Sequence, residues 1–194
     1  MLISEILKGK FPKTIIATHQ YRGDDTVIVK GEGLKELAQA LKEDPSLDFN
    51  FLMDLSCVDY LKFDETLSSG PTTSTPSPLP FFMKPIKDPK GEKWERTKEG
   101  KYRFEVVYHF YSFSKNHRLR VKVPLEEKSL EVDSLTSLWA GADWFEREVW
   151  DMFGVVFKGH PNLKRILMYE GFKGHPLRRD YPVNKRQPLI GPVN

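Results

Sequence analysis

Residues 103–125 read RFEVVYHFYSFSKNHRLRVKVPL. Phe104, Val106, Tyr108 and Phe110 alternate with more polar neighbours, and so do Leu119, Val121 and Val123. A period of two places each set on one face of a strand, and Ser114-Lys115-Asn116 supplies the turn between them. This stretch predicts an antiparallel hairpin with one apolar side. An apolar sheet face must be buried against something, and the flanking segments offer helices for that purpose.

Upstream, residues 3–7 start a short helix. Residues 14–18 and 26–30 are β-rich runs around the turn Arg22-Gly23-Asp24-Asp25. Leu34, Leu37, Ala38 and Leu41 recur at helical spacing, and Pro45 closes that helix. Residues 49–60 predict a strand with Phe49, Phe51, Met53 and Leu55 on one face. Downstream of the hairpin, Asp133 or Ser134 predicts the cap of a short helix through Trp139. Asp143-x-x-Glu146 resembles a capping box for a second helix that stops at Gly154, with Phe145, Val149, Met152 and Phe153 as its apolar face. Val155 to Phe157 predicts a short strand. The fold class that results is α+β: a two-layer domain with a mixed, largely antiparallel sheet, spanning residues 1–157. Residues 158–194, broken by Pro161, Pro176, Pro182, Pro188 and Pro192, read as an extended C-terminal arm.

Residues 64–100 differ in character. SSGPTTSTPSPLP is rich in Ser, Thr and Pro, and the segment exceeds the usual loop limit of about 12–15 residues. It reads as a solvated insertion, with Phe81, Phe82, Met83 and Trp94 as docking points along it.

The chain has 194 residues, 39% hydrophobic and 29% charged, enough for one core plus an arm. No apolar run approaches the roughly 18 residues of a spanning helix. MLISEILKGKF lacks the continuous apolar segment of a secretory signal, which favours a bacterial, cytosolic or membrane-peripheral chain. Cys57 is the single cysteine, so an internal disulfide, a cysteine-based zinc site and a cysteine-ligated iron–sulfur cluster are excluded. Asp59 beside it has the wrong sign to activate a thiol. Gly31-Glu32-Gly33 lacks the rest of a phosphate-binding loop. Net charge is +3, yet residues 158–194 hold eight Lys/Arg against two Asp/Glu, leaving the remainder at −3. Such a tail suits an acidic protein surface, a nucleic acid or anionic lipid.

Residues 143–182, DWFEREVWDMFGVVFKGHPNLKRILMYEGFKGHPLRRDYP, concentrate the chemistry. Glu146, Glu148 and Asp151 share one helix with Arg147 between them. Ion pairs with Arg165, Arg178 or Arg179, or with a partner chain, fit better than acid–base catalysis. His160 and His175 occur in repeated GHP tripeptides. With Asp151 or Asp180 they could ligate zinc, but the spacing matches no local ligand pair. A turn in which Gly159 or Gly174 takes a positive φ angle and the imidazole satisfies backbone groups fits better. Lys164, Arg165, Arg178, Arg179, Lys185 and Arg186 with Tyr169, Phe172 and Tyr181 could bind RNA, although no recognition module accompanies them. Buried arginine and aromatic contacts with another protein are the preferred reading, with Ile166, Leu167, Met168, Phe172 and Leu177 as apolar anchors.

The run from Glu146 to Pro182 closely resembles the signature of the 30-kDa-type subunit of respiratory complex I. LSCVDYL at residues 55–61 and RFEVVYHFYS at 103–112 extend the match. The resemblance implies a non-catalytic scaffold subunit in the hydrophilic peripheral arm of proton-translocating NADH:quinone oxidoreductase. It implies that FMN, iron–sulfur clusters, NADH and quinone are held by other subunits and that this chain binds no cofactor or metal. The 49-kDa-type (D) subunit is the implied main partner, with iron–sulfur subunits of B and I type nearby. The implied location is the cytoplasmic face of the bacterial inner membrane. The residues that match the partner-contacting signature are Glu146, Arg147, Glu148, Asp151, His160, Pro161, Arg165, His175, Pro176, Arg178, Arg179 and Asp180. Related subunits serve membrane-bound hydrogenases and other dehydrogenases, so a different electron donor remains an alternative. The 64–100 insertion is longer than the family's usual connection.

Overall fold

The computed structural model describes residues 2–61 and 102–187. The insertion and its docking residues Phe81, Phe82, Met83 and Trp94, together with Pro188 and Pro192, lie outside the described residues.

Helix α1 (Ile3–Lys10) leads into strands β1 (Ile15–Tyr21) and β2 (Asp24–Val29). A 3-10 turn (Gly31–Gly33) precedes helix α2 (Leu34–Glu43) and strand β3 (Phe51–Asp59). Strands β4 (Phe104–Ser112) and β5 (His117–Leu125) form the predicted hairpin. Strand β6 (Glu131–Asp133), helix α3 (Ala142–Phe153) and strand β7 (Val156–Lys158) complete the regular elements among the described residues.

The main sheet has the order β1-β2-β5-β4-β3. Within it only β2 and β5 run parallel, so the sheet is mixed and largely antiparallel, as the sequence predicts. Cross-strand pairs Val106–Val123, Tyr108–Val121 and Phe110–Leu119 form its centre. They pack into one core with Leu7, Leu34, Leu37, Leu41 and Val149 from the three helices. The opposite face is mostly polar, with Ile28 and Val107 as apolar residues on it. Strand register sets His19, Thr26, Arg120, His109 and Asp54 in one row across all five strands.

Four local expectations need correction. The first hairpin turns on Arg22 and Gly23 alone, at φ 53° and 91°. Two successive positive φ angles match the right-handed twist of the flanking strands. Asp24 and Asp25 therefore enter β2, where the buried Asp25 carboxylate accepts the Ser4 N–H at 3.1 Å and ties α1 to the sheet. In β3 the register slips between Leu52 and Asp54. Phe49 and Leu55 are buried as expected, but Phe51 and Met53 face solvent and Leu52 and Cys57 are buried, because the bulge shifts the phase of the alternation within the strand. The expected helix through Trp139 is instead β6 followed by a turn, in which the Thr136 N–H donates to the Ser134 hydroxyl. The stretch is too short to propagate a helix once β6 has taken its first residues by pairing with β7. The capping box does not form either: α3 starts after Gly141 with no side-chain cap. Glu146 reaches instead to the upstream turn and accepts the Leu135 N–H at 2.7 Å.

Cys57 is buried in β3, and burial pushes its thiol up to about 12. At neutral pH the reactive thiolate is therefore scarce. A maleimide probe should leave the native chain unlabelled and modify it fully in denaturant; rapid native labelling would contradict this burial.

Candidate functional site

The arm docks where α3 ends. Gly154 adopts φ +79° and its N–H donates to the Trp150 carbonyl, closing the helix in the left-handed conformation that glycine favours. A Cβ here would lie 2.6 Å from both His175 Nε2 and Arg178 Nη2, so the arm rests directly on this glycine. The last turn of a helix leaves carbonyls without intrahelical partners. In this chain the returning arm supplies those partners. His175 Nδ1 bonds the Asp151 carbonyl at 3.0 Å, the Leu177 N–H the Met152 carbonyl at 3.1 Å, and Arg178 Nε the Phe153 carbonyl at 2.5 Å. The Arg178 cation also complements the negative end of the helix dipole.

Asp151 is the first of two carboxylate anchors. Its Oδ2 accepts the N–H groups of Ile166, Leu167 and Met168 at 3.1, 2.9 and 2.9 Å. Its Oδ1 meets Arg165 Nη1 at 2.5 Å. Arg165 continues through Nη2 to the Gly174 carbonyl at 3.1 Å and lies against the rings of Trp150 and Phe172. One buried side chain on α3 thus fixes two passes of the arm.

Asp59, at the end of β3, is the second anchor. Arg103 grips it bidentately, at 3.1 Å to Oδ1 and 3.0 Å to Oδ2. The Leu61 N–H and the Arg179 N–H add to the carboxylate, and Arg179 Nε reaches the Asp59 carbonyl at 3.2 Å. Arg103 also pairs with Asp180 at 2.7 Å and with Glu127. Arg178 and Arg103 both lie over the Phe104 ring. The arm is thereby stitched to the strand ends on both sides of the insertion. Neither Asp59 nor Arg103 stands out in the sequence as a site residue. Their one signal is membership in the LSCVDYL and RFEVVYHFYS matches.

The twelve signature residues divide accordingly. Asp151, Arg165, His175, Arg178, Arg179 and Asp180 gather at the two anchors, and Pro176 between His175 and Leu177 is half-buried. Arg147 supports the same arm from α3, donating to the carbonyls of Lys164 and Arg165 and lying over Trp144. His160 sits in its turn as the sequence predicts, with Nδ1 accepting the Asn162 N–H and Nε2 against Asp143. Gly159 and Gly174 have φ +81° and +105°. Glu148 and Pro161 are exposed. Glu146 is fully buried and meets no arginine, contrary to the expected ion pair. A zinc site from His160, His175 and Asp151 does not fit this geometry. Both Asp151 oxygens are filled by donors, and the two histidines address different carbonyls. Among the described residues no group of three or more His, Cys, Asp or Glu could hold a metal ion.

Burial alone would raise the carboxyls of Asp151 and Asp59, but donors outweigh it at both. The N–H groups of residues 166–168 with Arg165 lower Asp151, and Arg103 with two N–H groups lowers Asp59. Glu146 moves the other way: burial pushes it up to about 7 despite bonds from Ser134 and Leu135. A depressed folded value stabilises above the unfolded value and is lost as pH falls through the folded one. Arm docking should therefore fail on acidification below the ordinary Asp range. A raised value costs stability as pH climbs from the ordinary Glu value toward about 7 and stays lost above. Glu146→Gln should thus gain stability over wild type with rising pH, by at most about 3 kcal/mol; parallel pH–stability curves would contradict it. Asp151→Asn should free the arm, costing about 3–5 kcal/mol, seen as new protease cleavage in residues 158–187 with sheet circular dichroism retained.

Residues 27–187 match the family described as the respiratory-chain NADH dehydrogenase 30 Kd subunit. The C-type subunit of NADH-quinone oxidoreductase from Citrifermentans bemidjiense is 40% identical over 187 residues, covering 95% of this chain and 92% of that protein. Its counterpart in a Roseiflexus species is 38% identical over 185 residues, covering 95% and 85%. Among solved structures, a trypsin-resistant fragment of Nqo5 (1–134) has a TM-score of 0.56 at 28% identity, covering 84% of this chain and all of that one. A chain of an archaeal membrane-bound sulfane sulfur reductase, at 18% identity and TM-score 0.59 with coverage of 94% and 85%, shares the fold. With an α+β sheet, a glycine-ended helix and a returning arm in place, the match over 27–187 is decisive: this chain belongs to the 30-kDa subunit family of the respiratory-chain NADH dehydrogenase.

Proposed function

We propose that this chain is a non-catalytic scaffold subunit of proton-translocating NADH:quinone oxidoreductase. Its place is the hydrophilic arm, where it docks on the 49-kDa-type quinone-site subunit. FMN, iron–sulfur clusters, NADH and quinone are handled by other subunits, and iron–sulfur subunits of B and I type are neighbours. The complex sits at the cytoplasmic face of a bacterial inner membrane. Among the described residues no helix is long and apolar enough to cross a membrane, and in this reading other subunits hold the complex there.

One observation carries the docking reading. The arm is tied down by its polar groups, yet it leaves apolar side chains outward: Leu167 at 56% exposure and Leu177 at 55%, beside Trp144 at 63%. Each anchored backbone segment turns one of these leucines outward, for the N–H groups of Leu167 and Leu177 are both bonded to α3. A rigid backbone bearing exposed leucines loses little entropy on binding. Of the signature residues, Glu148, Pro161, Arg179 and Asp180 keep exposed surface for the same partner, while the others shape the hook from within. A family whose relatives are named as oxidoreductase subunits supplies the partner class. The obligate interface expected of such a subunit exceeds about 2,000 Å².

The test is co-expression with the 49-kDa-type subunit. Wild type should co-purify with it stoichiometrically. The double variant Leu167→Asp/Leu177→Asp should retain its fold within about 0.5 kcal/mol, since both side chains are exposed, and should lose most of the co-purifying partner. Undiminished recovery with the double variant would overturn this docking surface.

A further inference from the structure

The fold divides the arm's cations by chemistry. Arg165, Arg178 and Arg179 bond to Asp151, the Phe153 carbonyl and Asp59. The planar guanidinium suits such multi-point contacts. Lys164, Lys173, Lys185 and Arg186 stay on the surface.

Lys173 and Lys185 are brought together by specific contacts, with Arg186 following Lys185 in the chain. The Lys173 N–H donates to Gln187 Oε1 at 3.0 Å, and Gln187 Nε2 returns a bond to the Lys173 carbonyl at 3.1 Å. Gln187 also bonds the Tyr181 hydroxyl. Tyr181 stacks on Phe172 with centroids 5.9 Å apart. Lys185 Nζ lies 5.3 Å from the Tyr181 ring centre and 3.7 Å from the position of a Cβ at Gly174. Residues 173, 185 and 186 thus share one folded loop end. Among the described residues no carboxylate pairs with any of the three, and the arm's Asp180 is occupied by Arg103.

We propose that Lys173, Lys185 and Arg186 form a receptor for a carboxylate-rich segment of the partner subunit, beside the apolar contacts of Leu177. This rests on the docking reading above and specifies the chemistry of the partner's face. An RNA strand fits less well: Phe172 is spent on Tyr181 and Arg165, so it does not offer a free stacking face. Exposed cations without carboxylate partners act over distance. They accelerate encounter with an oppositely charged surface and do so less as salt rises.

The experiment measures association of the purified chain with the 49-kDa-type subunit across ionic strength. Three proteins are compared: wild type, the reversal K173E/K185E/R186E, and the neutral K173Q/K185Q/R186Q. At low ionic strength the reversal should associate at least about tenfold more slowly, with the neutral variant between. The three rates should converge near 1 M salt, where screening acts within about 3 Å. Equal rates and equal salt slopes, in a wild type that does bind, would overturn this proposal alone. A wild type that does not bind would overturn the docking reading and this proposal with it. Uridine-rich RNA that displaces the partner from wild type, but not from the neutral variant, would also overturn it, because the cluster would then be a nucleic-acid site.

Discussion

The Asp151 carboxylate is the constraint on which the arm depends. A chain segment without helix or strand pairing must still satisfy its backbone groups. Three consecutive N–H groups find a single oxygen on α3. That oxygen is buried and ionised, so each bond is charge-assisted and stronger than a neutral one. Arg165 neutralises the same carboxylate and then fastens the next pass of the arm through Gly174. The α3 terminus completes the arrangement, because its orphan carbonyls accept from the arm and so need no water. Helix and arm therefore satisfy each other: the arm's donors lack acceptors elsewhere, and the helix end lacks donors.

Much of this was legible in the sequence, and the limits have physical causes. Strict alternation over nine residues made β4 and β5 plain, because a strand buried on one face must show it. Gly154 was legible as a helix stop because few residues other than glycine accept its φ angle. Over residues 49–60 the even alternation holds for Phe49 and Leu55 but fails at Phe51 and Met53, since the inserted residue between Leu52 and Asp54 shifts the phase within β3 and leaves no compositional mark. The Asp143–Glu146 spacing was a false cap. The same spacing arises when a carboxylate caps a turn eleven residues upstream, which only the folded chain reveals.

The second anchor illustrates a different limit. Asp59 meets Arg103 across 44 positions and Arg179 across 120. Local pattern carries no information about pairs so distant, and an aspartate at a strand end is unremarkable by itself. The clamp has a mechanical consequence. Asp59 precedes the 64–100 insertion in sequence and Arg103 follows it, and the two residues that pair there also seat the arm. A change in the insertion's length need not disturb the core, because Asp59 and Arg103 are already paired with each other. Closing a longer loop costs only slowly more entropy once its ends are fixed.

Burial of Glu146 runs against stability, and its position explains why it is nonetheless in place. Its Oε1 holds the Leu135 N–H, which ends the β6 segment and starts the turn toward α3. Its other oxygen is buried without a protein partner, as is the nearby hydroxyl of Tyr108. A hydrophobic residue of similar size would relieve the desolvation, but would leave the Leu135 N–H unsatisfied in the core, a penalty of about 1–3 kcal/mol. The comparison is close: with Glu146 raised only to about 7, most of the cost of burying the carboxyl is already present at neutral pH, and the satisfied Leu135 N–H is what offsets it. The turn so fixed sets where α3 begins. Through the length of α3 it also sets where Asp151 and Gly154 meet the arm.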